Sequence, residues 1–254
     1  MPEPDLIRLS QSHLNLLSLC PPKFQRVYID CLGSLPVPEQ QESMQWGSRF
    51  HLLMQQRELT LPIEPLLAND TELDRSLKAL IEAAPELNKD LDIWREAEHC
   101  RTLSLDDFLF TVIYDLLIAD AERAIILDWK TYRQPMKAKA LKQNWQTRLY
   151  LYVLAETSEY KPEQIQMTYW FVKSGKPSRV TINYSQAEHQ QTEQEVAALL
   201  TNLKKWLHSY HKLQIDFPHQ PNCEQGCPFY QDLGLQDDKL EVFTSIDEIA
   251  EVEI

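Results

Sequence analysis

Residues 106–132, DDFLFTVIYDLLIADAERAIILDWKTY, constrain the fold more than any other stretch. Two apolar, β-branched runs are separated only by the turn around Asp120-Ala121-Glu122. A connector this short forces antiparallel neighbours, because a parallel return needs a crossover of about a dozen residues or more. IWREAEHCRTL precedes them across a turn at Leu105-Asp106-Asp107, so a three-stranded meander is expected from about residue 93. Charged residues sit within these runs: Asp115 in the first, Asp128 at the end of the second, and Lys130 two positions on. Strand residues i and i+2 share a face, so Asp128 and Lys130 stand side by side while Trp129 points away. Pairing about the turn places Asp115 roughly opposite them. Two poorly hydrated carboxylates repel each other, and a hard divalent ion is the simplest neutraliser, since Mg²⁺ takes one or two carboxylates plus water and phosphate oxygens. With an amine at the same edge, these are the parts for metal-assisted hydrolysis of a phosphodiester. A plain salt bridge at a sheet end uses the same triplet, and a hydrolase of small phosphoesters would use the same chemistry in a closed pocket.

Around the meander the period is helical. Ser10 can cap QSHLNLLSL, which the prolines after Cys20 must end, and KFQRVYIDCL restarts with helical spacing. EQQESMQWGSRFHLLMQQREL and TELDRSLKALIEAAPEL read as amphipathic helices. Gly47 inside the first costs about 1 kcal/mol relative to alanine, so another chain segment is expected to approach the backbone there. KAKALKQNWQTRLYLYVLAET reads as one helix, QIQMTYWFV and PSRVTINY as strands, and a long helix is expected from about Ser185 to Lys212. The order gives an α/β (α+β) fold: a helical part at about 5–90, a core at about 93–212 and a segment at 213–237, together one domain over 1–237, then an acidic tail over 238–254.

The formal net charge of -13 argues against a protein that coats nucleic acid through its overall field. The distribution is uneven. From Trp129 to Arg148 the charged residues are Lys130, Arg133, Lys137, Lys139, Lys142 and Arg148, with no Asp or Glu, so a polyanion has one place to sit. The N-terminus has no basic segment before its apolar residues, and charges interrupt every apolar stretch before the roughly 18 residues a membrane span needs, so no membrane association and a cytoplasmic location are expected. Five cysteines, an odd number, do not suggest a disulfide framework.

YDLLIADAERAIILDWKT followed by NWQTRLYLYVLAE resembles the core of the PD-(D/E)xK nuclease superfamily, in particular its RecB-like branch. Asp115 matches that family's first aspartate, Asp128 and Lys130 its D-x-K, and Gln146 and Tyr150 its Q-x-x-x-Y, four residues apart on one helix face. WGSRFHLLMQQ resembles its G-x-x-x-H, with Gly47 and His51 in the matching places. The resemblance covers about residues 10–230. It implies a restriction-endonuclease-like core with a central mixed sheet flanked by helices, Mg²⁺ or Mn²⁺ held by His51, Asp115 and Asp128, and Lys130 assisting the attacking water. It further implies DNA held by Gln146, Tyr150, Arg133 and Lys137, and work alongside a helicase or another repair or defence protein. Glu98 or Glu96 matches the acidic residue that several relatives place one strand earlier, and their i, i+2 spacing leaves the two undistinguished. Val112 stands where the family usually has glycine.

LSQSHLNLLSLCPPKF resembles the N-terminal segment of AddB-like and CRISPR-adaptation nucleases, in which one cysteine joins three C-terminal ones around a [4Fe-4S] cluster. Cys20, Cys223 and Cys227 match three ligands, and no cysteine follows Cys227. Cys31 or an outside ligand would have to complete the set, so a vestigial site without a stable cluster is expected. A zinc site would need His219 or another fourth ligand. The sequence therefore leads to a metal-dependent deoxyribonuclease, with a catalytically silent binding subunit of the same fold as the alternative.

Overall fold

The computed structural model describes residues 6–33, 38–68, 70–88, 93–132, 136–173 and 176–220. Arg133, Cys223, Cys227 and the acidic tail at 238–254 lie outside the described residues.

A short strand β1 (Ile7–Leu9) leads into α1 (Gln11–Leu19), α2 (Pro21–Phe24) and a π-turn at Gln25–Ile29. Three further helices follow: α3 (Pro38–Glu58), α4 (Glu64–Leu67) and α5 (Thr71–Ala83). The meander is β2 (Trp94–Leu105), β3 (Phe108–Ala119) and β4 (Ala124–Lys130). Beyond it come α6 (Ala138–Gln143), α7 (Trp145–Glu156), β5 (Ile165–Phe171), β6 (Ser178–Asn183) and α8 (Gln186–Leu213).

The strands form one six-stranded mixed sheet. β2–β3, β3–β4 and β5–β6 are antiparallel, as their short connectors require, whereas β4–β5 is parallel and is bridged by α6 and α7. β1 is too short to be legible as a strand and pairs with β3 in parallel over Phe108–Phe110. One face of the sheet is covered by α1, α7 and α8 through Leu14, Leu17, Leu149, Val153, Val196 and Leu200. The other is covered by α3 and α5 through Phe50, Leu53, Met54, Leu73, Leu77 and Leu80. Each helix buries one stripe against the sheet, the usual way such layers exclude water.

Two features position the site. First, β4 and β1 share one edge of β3: β4 takes Leu116–Ala119 and β1 takes Phe108–Phe110. The β3–β4 ladder ends at Leu116–Leu127, so the strands fork at the next pair in register, Asp115 and Asp128. Second, the inward faces of β2 and β3 change phase at that level. Phe108, Phe110, Val112 and Tyr114 face α7 and α8, but Leu116 and Ile118 face α3 and α5. On β2 the irregular residue is Glu98, whose φ of 51° breaks the alternation between Ala97 and His99.

The helix expected over 137–157 is two helices. Asn144 has extended backbone (φ -68°, ψ 142°) and caps α7 by accepting from Gln146 N at 2.8 Å. An asparagine side chain competes for backbone donors and so favours a helix start over a helix interior. Val112, where the resembling family has glycine, is buried in regular strand opposite Arg101.

Candidate active site at the strand fork

β4 alternates as its sequence implies: Ile126 and Asp128 face α7, and Leu127 and Trp129 face α3. Asp128 and Lys130 are buried, 1% and 7% exposed, and their ion pair measures 2.9 Å (Oδ1–Nζ). Gln146, in the first turn of α7, closes a triangle on them. Its Nε2 donates to Asp128 Oδ2 at 2.8 Å, and its Oε1 accepts from Lys130 Nζ at 2.8 Å. The amide thus bonds both charged groups at once, leaving Asp128 Oδ1 to the ion pair with Lys130. Asn144, the N-cap of α7, stands two residues before Gln146.

On the other side of the fork, Asp115 Oδ2 accepts from Trp129 N at 2.6 Å, so a carboxylate takes the place of the missing ladder bond. His51 of α3 reaches the other backbone group of the same residue, with Nε2 3.0 Å from Trp129 O and Nδ1 3.3 Å from Asp115 Oδ1. A carbonyl only accepts, so Nε2 carries the proton, and Nδ1 is the ring atom directed toward the carboxylate. Gly47 makes this approach feasible: a Cβ at that position would stand 3.0 Å from Thr131 Oγ1, just beyond Lys130. The backbone approach expected at Gly47 is therefore the end of β4, and one helical turn later His51 lies over Trp129.

Glu98 completes the cluster. One ligand atom from each of His51, Glu98 and Asp115 lies within 4.8 Å of the others, and all three residues are half-buried. Glu96 is elsewhere: it is exposed and pairs with His99 Nδ1 at 2.9 Å. The two glutamates do not share a setting, because the left-handed backbone at Glu98 breaks the i, i+2 relation. A non-glycine residue in that conformation costs about 1–3 kcal/mol, and such strain collects at functional sites. Two carboxylates and an imidazole at this spacing form a set that a divalent cation fits and that is self-repelling without one. Asp128 is outside this cluster and is instead bound to Lys130 and Gln146.

The remaining expected residues divide. Tyr150 lies one turn beyond Gln146, but its ring is buried (4% exposed) edge-on to Tyr114, whose hydroxyl donates to Tyr150 O at 3.0 Å. Lys137 is exposed at the N-cap of α6. Two members of the basic run turn away to α8: Lys142 pairs with Glu188, and Arg148 pairs with Glu195 at 2.8 Å while lying over Trp145. Cys20 is buried where α1 meets α2; Cys31 and Cys100 are exposed. The sequence reading missed Asn144 and the Trp129 carbonyl. The first carries a readable signal, an asparagine before an apolar helix, but the carbonyl carries none.

A mixed sheet forking between an aspartate and a D-x-K, with a histidine brought over the fork by a packed helix, is a restriction-endonuclease-like fold with a candidate cation site at the fork. The profile of the PD-(D/E)XK nuclease superfamily matches residues 8–231, and the chain belongs to that superfamily. A candidate exonuclease from Eubacterium rectale shares the fold: its crystal structure superposes with a TM-score of 0.54 at 11% identity, covering 94% of this chain and 92% of that one. The crystal structure of SSO0001 is a weaker likeness, with a TM-score of 0.34 at 13% identity over 79% and 78% of the two chains. The search of curated proteins found no match. Among the described residues no helix is long and apolar enough to cross a membrane.

Proposed function

We propose that the chain is a divalent-metal-dependent deoxyribonuclease of the RecB-like branch, hydrolysing phosphodiester bonds in DNA repair, recombination or defence in the cytoplasm. The observation that carries the reading is the convergence of His51, Glu98 and Asp115 within 4.8 Å at the fork whose other arm holds Asp128 and Lys130. A cation held by the three donors supplies Lewis-acid polarisation and a more acidic water. The imidazole among them favours Mn²⁺ over Mg²⁺, which prefers oxygen alone. The chain's own groups do the rest. Lys130 Nζ donates to Gln146, is ion-paired with Asp128 and so presents positive charge at the fork, where a phosphoryl oxygen or attacking water can be held. Asp128 anchors Lys130 and stands one register position past the end of the β3–β4 ladder, the position that Asp115 takes on the other strand. The Trp129 carbonyl accepts from His51 Nε2 and so holds the imidazole over the fork.

The test is cleavage of end-labelled single- and double-stranded DNA with Mn²⁺, with Mg²⁺ and with EDTA. Metal-dependent products are expected from the wild type and none from Asp128→Ala or Lys130→Ala, each of which should retain a cooperative unfolding transition. A folded variant with undiminished cleavage would overturn the mechanism. A wild type that neither cleaves nor binds a divalent ion by calorimetry would leave the silent binding subunit as the reading.

A further inference from the structure

The sequence places the basic surface in one run after β4, but the fold assembles it differently. β4 and β5 run parallel with Lys130 opposite Phe171, and Val172 N donates to Lys130 O at 3.0 Å. The two chains therefore leave the sheet side by side, at the end that carries the fork. After β4 come the exposed Lys137 and Lys139, and after β5 come Lys173 and the exposed Lys176. Residues 129–148 and 170–177 contain no Asp or Glu, in a protein of net charge -13. None of the described ion pairs involves Lys137, Lys139 or Lys173. Lys173 is instead laid over the ring of Trp46 at 4.4 Å, and Trp46 stacks on Phe50 at 5.5 Å with an interplanar angle of 15°. A ring face orients an ammonium without neutralising it. Trp46 also directly precedes Gly47, so the same turn of α3 that presses on Thr131 aims the Lys173 charge. Meanwhile Lys142 and Arg148, from the original run, are neutralised by α8.

We infer that a nucleic-acid backbone crosses the paired ends of β4 and β5, with phosphates contacted by Lys173 and Lys176 from one loop and by Lys137 and Lys139 from the other, and with Lys173 held in place by Trp46. Lys142 and Arg148 take no part. The inference rests on the nuclease reading and adds phosphate contacts from the loop after β5 that the run after Lys130 does not contain. Contacts of this kind are to phosphates, so they position the strand without reading its sequence.

The experiment measures binding of fluorescein-labelled single- and double-stranded DNA to the full chain in EDTA across a salt series, beside cleavage with Mn²⁺. Lys173→Gln/Lys176→Gln should weaken binding about tenfold and lower the log–log salt slope by about 2, one for each lost phosphate contact. Trp46→Leu should reproduce part of that loss, and Trp46→Phe, which keeps a ring, less of it. Lys142→Gln/Arg148→Gln should bind as the wild type does. A cleaving wild type whose Lys173→Gln/Lys176→Gln form binds equally well overturns the track and leaves the nuclease reading standing. Loss confined to Lys142→Gln/Arg148→Gln does the same. A wild type that neither binds nor cleaves overturns both.

Discussion

Glu98 shows how a single residue sets this site. Its φ of 51° costs free energy that a glycine there would not incur, and its carboxylate adds repulsion to Asp115. Both costs fall on the residue that completes the donor set. Glu98→Gly should leave stability within about 1 kcal/mol of the wild type, relief of strain offsetting glycine's greater chain entropy. Glu98→Val, β-branched in a left-handed conformation, should lose about 2 kcal/mol or more. Both should weaken Mn²⁺ binding at least about tenfold, the scale of losing a metal-site partner. Urea unfolding and calorimetry would check this, and wild-type Mn²⁺ affinity in Glu98→Gly would remove Glu98 from the site. Residues at this scale were unevenly legible. Asp128 and Lys130 follow from strand alternation, and alternation holds on β4. Glu96 and Glu98 could not be separated, because a left-handed residue inside a strand has no sequence signature unless it is glycine or asparagine.

Among the elements, the break at Asn144 matters most. A continuous helix would carry Gln146 in mid-helix, whereas the break makes Gln146 a first-turn residue whose amide spans Asp128 and Lys130. Asn144→Ala should cost about 1 kcal/mol of stability, the usual loss for an N-cap, and Asn144→Asp, which keeps the acceptor, should recover most of it. If the cap also positions Gln146, Asn144→Ala lowers kcat with little change in KM, and Asn144→Asp restores it. A kcat unaffected by Asn144→Ala would reduce the residue to a helix end. The meander, α3, α5 and α8 were all visible in the sequence, the meander and α5 through clear apolar periods and α3 and α8 through their length. The break was not, because an apolar period running through 138–156 outweighs one polar residue. Lys142 and Arg148 misled for a related reason: their partners, Glu188 and Glu195, lie on an element far along the chain.

At the scale of the whole molecule, tyrosines join the layers on the α7 side of the sheet. Tyr114 of β3 donates to the backbone of α7, Tyr152 lies on α7 against His189 of α8, and Tyr184 contacts the same His189 at 3.2 Å. Burial pushes all three hydroxyls above their ordinary value of 10.0, Tyr152 to about 12 and the other two further. The unfolded chain then loses these protons at a lower pH than the folded one, so from about pH 10 upward the folded state binds more protons and stability falls as pH rises. Below pH 10 the contribution is fully present and the stability curve should show no component from these groups. Tyr114, the most enclosed, should account for about 1 kcal/mol of the loss between pH 10 and 11. Tyr114→Phe should lower stability at pH 8 through the lost hydrogen bond, yet flatten the alkaline slope. Urea unfolding at pH 8, 10 and 11, with tyrosinate absorbance followed in parallel, would test this. If tyrosinate absorbance instead rises in the folded protein near pH 10 with no loss of stability, these hydroxyls titrate as exposed phenols do, and the α7 layer is not held through buried, protonated tyrosines.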